Sequence, residues 1–232
     1  MTKPSIVIFT VLFLSSVLMG CSDAPPAATD SPAPAVQKEA PSPLMPAKWV
    51  EGTHYNVIAE EVTEQKQVVE YFSFWCPACY RFEAVIAQIK PNLADDVIFK
   101  KIHVNFMGFT TKEIQEQATK AMLIGKSLQQ EELMTAAIFA HIHEQGQKIG
   151  GINDLKELFV SYDFSEEDFE NALKSDEVLT AFTNNNAEID KFKDDLHSVP
   201  NIIINGKYQT KFTKEMTIQD IVDLVNWLSQ QK

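Results

Sequence analysis

The chain has 232 residues, 45% hydrophobic and 10% aromatic, with a formal net charge of −12 at pH 7. That is enough apolar material for a sizeable core, and the length suits one domain carrying an insertion. The acidic balance, with no basic stripe interleaved with aromatics, repels phosphate backbones and speaks against nucleic acid as a partner.

Residues 1–20 read as a secretory signal: Lys3 precedes an apolar run from Ile6 to Leu18 that is too short to span a bilayer comfortably. The run ends in LMGC, Leu18 to Cys21, which resembles the lipobox of bacterial lipoproteins. The resemblance implies that Cys21 is acylated and becomes the new amino terminus; the alternative is an ordinary cleaved signal with a cysteine nearby. Residues 21–47 hold seven of the eleven prolines among small polar residues. Such a stretch cannot bury enough surface to order itself, so it reads as a tether, extended at about 3.1 Å per residue where it is polyproline-like.

Val68 to Trp75, VVEYFSFW, is dense in β-branched and aromatic residues and reads as a buried strand. Phe82, Val85, Ile86 and Ile89 then recur at helical spacing until Pro91, which predicts a helix from Cys76 to Lys90. A second strand is predicted over Val97 to Val104, completing the unit that builds parallel sheets. From Phe106 to Ala187 strand character gives way to successive helical patterns, including a capping start at Ser165, and a long polar helix is predicted over Glu177 to Leu196. Strand chemistry returns at Ile202 to Ile204, followed by an Asn205-Gly206 turn of type I′ and a short partner strand. Thr217 caps a last helix with Ile218, Ile221, Val222, Val225 and Leu228 on one face. A sheet interrupted by helices and then resumed is an α/β domain with an all-helical insertion.

Two of the three cysteines, Cys76 and Cys79, sit at the junction of the first strand and its helix. Unpaired N–H groups and the positive end of the macrodipole stabilise an anion at a helix start, so Cys76 is the expected nucleophile. Pro77 suits the first turn, where its missing N–H would have had no partner. Cys79, one turn deeper, is the expected resolving thiol. A zinc site needs further ligands, and His141 and His143, two apart, would not share a helix face. A permanent disulfide closing two residues would remove little unfolded-chain entropy. Redox exchange is the remaining reading, and it calls for no metal.

VVEYFSFWCPACYRFE, KIHVNFMG and SVPNIIINGKYQ, taken together and in this order, resemble the DsbA family of periplasmic thiol-disulfide oxidoreductases. The resemblance covers 49–232 and implies a thioredoxin fold over 48–105 and 188–232, with a helical domain inserted at 106–187. It places the family's nucleophilic and resolving cysteines on Cys76 and Cys79 and its cis-proline on Pro200, with Val199 offering main-chain hydrogen bonds to an extended substrate. Without the resemblance, Val199-Pro200 reads equally as a strand entrance with a trans bond. Glu70 and Lys101 match an acidic residue and a lysine beneath the disulfide, a proton-handling pair for Cys79; the alternative is an exposed strand edge with Glu70 in water. Glu83 is matched too, though one turn past Cys79 it reads equally as a helix-face charge.

Ala78 departs from the family, whose strongly oxidising members carry histidine there, donating to the thiolate of the reduced form. Alanine cannot donate, so a weaker oxidant is expected. The resemblance implies a tethered periplasmic enzyme, monomeric and without cofactor. It would donate its Cys76–Cys79 disulfide to unfolded exported proteins with free thiols and be reoxidised by a DsbB-type membrane quinone reductase. The membrane itself is a partner through the lipid anchor, in the inner or the outer membrane. The competing readings are a reductase or isomerase of the same fold and a lipoprotein that only binds peptide or metal.

Overall fold

A computed structural model describes residues 48–231, so Cys21, the signal and most of the tether lie outside the described residues. Five strands and seven α-helices follow in chain order: β1 (Tyr55–Val57), β2 (Gln67–Phe72), α1 (Pro77–Ile89), β3 (Ile98–His103), α2 (Lys112–Ser127), α3 (Glu131–His143), α4 (Ile152–Val160), α5 (Glu166–Leu173), α6 (Asp176–Lys191), β4 (Asn201–Ile204), β5 (Tyr208–Thr210) and α7 (Ile218–Ser229).

The strands form one sheet in the order β1-β5-β4-β2-β3. Only the β2–β3 pair is parallel, as its helical crossover through α1 requires. β2 lies between β4 and β3, and all six of its residues are buried. Its alternation sorts them onto two faces. Val68, with Ile202 and Ile204 of β4, packs on α1 and α7 through Ile86, Ile89, Val222 and Val225. Val69, Tyr71 and Ile203 face the other way, in the core shared with the helices between β3 and β4. Burying each such Val, Ile or aromatic side chain contributes about 1.5–3 kcal/mol. Glu70 shares the face of Val68, and this puts a carboxyl in an apolar layer under α1.

The Asn205-Gly206 turn has φ of 52° and 65°, the left-handed pair that a type I′ hairpin needs. Asn205 also ties elements together: its Oδ1 accepts from the Gln67 N–H at 2.9 Å and its Nδ2 donates to the Ser229 carbonyl at 3.0 Å. Thr217 and Asp220 form a reciprocal capping box at the start of α7.

The boundaries depart from the sequence pattern where side chains intervene. β2 stops at Phe72 rather than Trp75, because Ser73 turns the chain: its Oγ accepts from the Trp75 N–H and its carbonyl from the Cys76 N–H. Helix α6 ends at Lys191, short of Leu196, and Phe192 to Leu196 coil into turns. Ile218, expected on the apolar face of α7, is instead half exposed at the first position of that helix. Strand β1, which the sequence pattern did not indicate, pairs antiparallel with β5. The stretch 106–187 is occupied by α2 to α5 and most of α6, and Asn185 of α6 clips onto β3 by exchanging two hydrogen bonds with the His103 backbone, at 3.1 and 2.9 Å. No helix among the described residues is long and apolar enough to cross a membrane.

Candidate active site

Cys76 is the N-cap of α1. Its extended backbone (φ −90°, ψ 111°) turns Sγ back over the helix start, where the Cys79 N–H donates to it at 3.3 Å. Pro77 opens the helix and no acidic side chain lies in its first turn, so the N–H groups and the macrodipole act on Cys76 unopposed. Sγ also reaches the Val199 carbonyl at 3.4 Å, a contact in which the thiol donates. The Val199-Pro200 peptide bond is cis. Both cysteines are free in this structure. Pro77 and Ala78 are exposed beside Cys76, which is itself only 5% exposed, and Cys79 is sealed behind it and wholly buried. Burial pushes the Cys79 thiol well above its ordinary range, and a negative Glu70 pushes it further.

The parallel register sets Glu70 directly beside Lys101. Lys101 Nζ donates to Glu70 Oε2 at 2.7 Å and to Glu83 Oε1 of α1 at 2.6 Å, and it lies 4.5 Å from the centre of the Phe72 ring. Glu70 is fully buried, and its Oε1 has no hydrogen-bond partner. Burial outweighs the attraction of Lys101 and pushes the Glu70 carboxyl up to about 7. Burial acts on Lys101 in the opposite sense, but its two carboxylates more than offset it, and its ammonium stays charged with a raised pKa. A fully buried carboxyl whose pKa lies near neutrality thus sits close enough to the Cys79 sulfur for its charge to act on it.

The eight residues singled out around the cysteines, Glu70, Cys76, Pro77, Ala78, Cys79, Lys101, Val199 and Pro200, converge on this one place from β2, α1, β3 and the loop before β4. Glu83 joins them as the second anchor of Lys101.

Three further residues were not singled out from the sequence. Ser73 shapes the loop, as described above. His103 is fully buried against the Phe72 and Phe74 rings, with Nδ1 2.8 Å from Thr119 Oγ1. Because the Thr119 hydroxyl spends its proton on the Gln115 carbonyl, His103 must carry its hydrogen on Nδ1, and this leaves the Nε2 lone pair without a partner. Burial pushes its pKa down to about 3, so it is neutral. His143, the last residue of α3, bonds the Phe74 carbonyl at 2.8 Å and stacks on Tyr80. The two histidines carried no signal in type or spacing, because each acts through a contact between segments distant in the chain.

Comparison with known proteins points the same way. A family profile described as Thioredoxin matches residues 62–226. The thiol:disulfide interchange protein DsbA of Escherichia coli K12 is 29% identical over 197 residues, spanning 80% of this chain and 91% of that protein. The crystal structure of the disulfide oxidoreductase DsbA from Proteus mirabilis superposes with a TM-score of 0.70 at 26% identity, covering 79% of this chain and all but 2% of that one (98%). A second structure of Proteus mirabilis DsbA, holding a non-covalently bound peptide, gives the same TM-score at 27% identity and covers 80% of this chain and 100% of that one.

Proposed function

Because this chain belongs to the thioredoxin family, within its DsbA group of thiol-disulfide oxidoreductases, we propose that it donates the Cys76–Cys79 disulfide to exported proteins in the periplasm. The observation that carries this reading is the placement of one sulfur at the helix cap, facing a main-chain carbonyl, with the other buried behind it. A substrate thiolate attacks Cys76 Sγ, the Cys76–Cys79 bond breaks, and Cys79 leaves as a thiolate that takes a proton held by Glu70. A second substrate thiolate then attacks the substrate sulfur of the mixed disulfide and expels Cys76 as the thiolate that the helix start stabilises. The two substrate thiols give up two electrons in all and release their protons to solvent as they ionise; solvent returns one proton to Glu70 and one to Cys76 Sγ, and the enzyme ends as the dithiol.

Val199, with its carbonyl turned to Cys76, is the main-chain edge against which an extended client would lie, in keeping with the peptide held by the Proteus mirabilis relative. A DsbB-type quinone reductase would return the enzyme to its disulfide. The lipobox-like LMGC supports acylation of Cys21, which would tether the enzyme at a membrane as a monomer. Labelling with radioactive palmitate, abolished in Cys21→Ala, checks the anchor.

The function is tested by oxidative refolding of a reduced protein that has two native disulfides, with glutathione disulfide as electron acceptor. The wild type accelerates refolding, Cys76→Ser does not, and Cys79→Ser accumulates a mixed disulfide at Cys76. Full activity in Cys76→Ser would overturn the assignment.

A further inference from the structure

The peptide group joining Phe74 to Trp75 is pinned at both ends. Its N–H donates to Ser73 Oγ at 3.2 Å, and its carbonyl oxygen lies 2.8 Å from Nε2 of His143. A carbonyl only accepts, so Nε2 carries the hydrogen. The same imidazole lies flat on the Tyr80 ring, with centroids 5.1 Å apart and planes within 10°, and Phe139, one turn earlier on α3, packs on Phe74 and Tyr80. Phe74 lies two residues before Cys76, within about 7 Å along the chain, and Tyr80 directly follows Cys79. One side chain from the helical insertion thus grips the redox loop on one side of the cysteine pair and the first turn of α1 on the other.

We propose that His143 is a positioning residue of the redox centre, and that it selectively stabilises the dithiol form. In the disulfide form, the covalent bond between the sulfurs fixes Cys76 Sγ against Cys79 of α1. In the dithiol form, Sγ is placed only by the loop that carries it, by the Cys79 N–H and by the Val199 carbonyl. A loop free to rotate its Phe74–Trp75 peptide would lose those contacts in the dithiol and keep its tether in the disulfide. Bonding both ends of that peptide also polarises it, so that each hydrogen bond strengthens the other. The insertion thereby sets how readily the enzyme gives up its disulfide. This inference rests on Cys76 and Cys79 being the redox pair.

The experiment separates the hydrogen bond from the stack. His143→Phe keeps a ring against Tyr80 and has no donor; His143→Gln keeps a donor within reach of the Phe74 carbonyl and has no ring. Each is equilibrated with glutathione, and both redox forms of each are melted. In His143→Phe the equilibrium should shift about fivefold toward the protein disulfide, the equivalent of one ordinary hydrogen bond, and the reduced form should lose more thermal stability than the oxidised form. His143→Gln should stay within about twofold of the wild type, within the scatter of such energies. If His143→Phe does not fold, His143→Leu serves as the variant without a donor. Equal losses in both redox forms with an unchanged glutathione equilibrium would show packing alone and overturn the inference. A wild type that does not exchange with glutathione at all would instead overturn the redox reading beneath it.

Discussion

Replacing Glu70 by Gln isolates the energetic consequence of burying a carboxyl in the layer under α1. The folded protein raises this group from 4.5 to about 7, chiefly through burial that the Lys101 ion pair only partly offsets. A raised folded value means that the native state still holds a proton that the unfolded chain has released. The stabilisation is therefore complete below about pH 4.5 and is lost as pH rises through about 7. At about 1.4 kcal/mol for each tenfold change in acidity, that loss is about 3 kcal/mol. Glutamine has the shape of the protonated acid and cannot ionise. At pH 4.5 the reduced Glu70→Gln protein should match the wild type to within about 1 kcal/mol, the scale of one altered hydrogen bond. Near pH 8 it should be the more stable of the two by about 3 kcal/mol. In the wild type Lys101 keeps its charge throughout this window. Urea unfolding of both reduced proteins at pH 4.5, 6, 7.5 and 8.5 measures the gap directly, and titrating groups remote from Glu70 cancel in it. A gap that does not change with pH, or a variant that weakens faster than the wild type above pH 7, would refute the account of Glu70 as a buried proton carrier.

Two other substitutions probe different parts of the same centre. Ala78 is exposed beside Cys76, and Ala78→His would offer a donor to the thiolate of the reduced form. A charge-assisted hydrogen bond of about 1.5–3 kcal/mol should raise the potential by about 30–60 mV against glutathione, and a potential that is unchanged or lower would contradict the role given to this position. His103, held neutral by burial with its pKa down at about 3, titrates from 6.5 in the unfolded chain. Its stabilisation is present above pH 6.5 and is lost as pH falls toward 3, on the order of 5 kcal/mol. His103→Phe leaves Thr119 bonded to the Gln115 carbonyl and removes the titration. Its acid unfolding should therefore begin at lower pH than that of the wild type once the curves are aligned at pH 7, and parallel curves would rule this out.

Residue type and spacing were sufficient for whatever depends on neighbours along the chain. The strand-to-helix junction at Cys76, the proline that opens α1, the Asn205-Gly206 hairpin and the Thr217 cap are local choices, written in residue type and spacing, and the fold uses them as written. The order of the two cysteines follows from the same helix start. The resemblance added Val199, Pro200, Glu70 and Lys101. How those residues act on one another emerges only in the folded chain. The charge state of Glu70 depends on a sheet register that sets Lys101 beside it and on a helix that seals it from water. The grip of α3 on the redox loop comes from His143 crossing 69 residues of chain to reach the Phe74 carbonyl. Desolvation and long-range hydrogen bonds have no period and no motif; they exist only once distant segments have excluded water from between them.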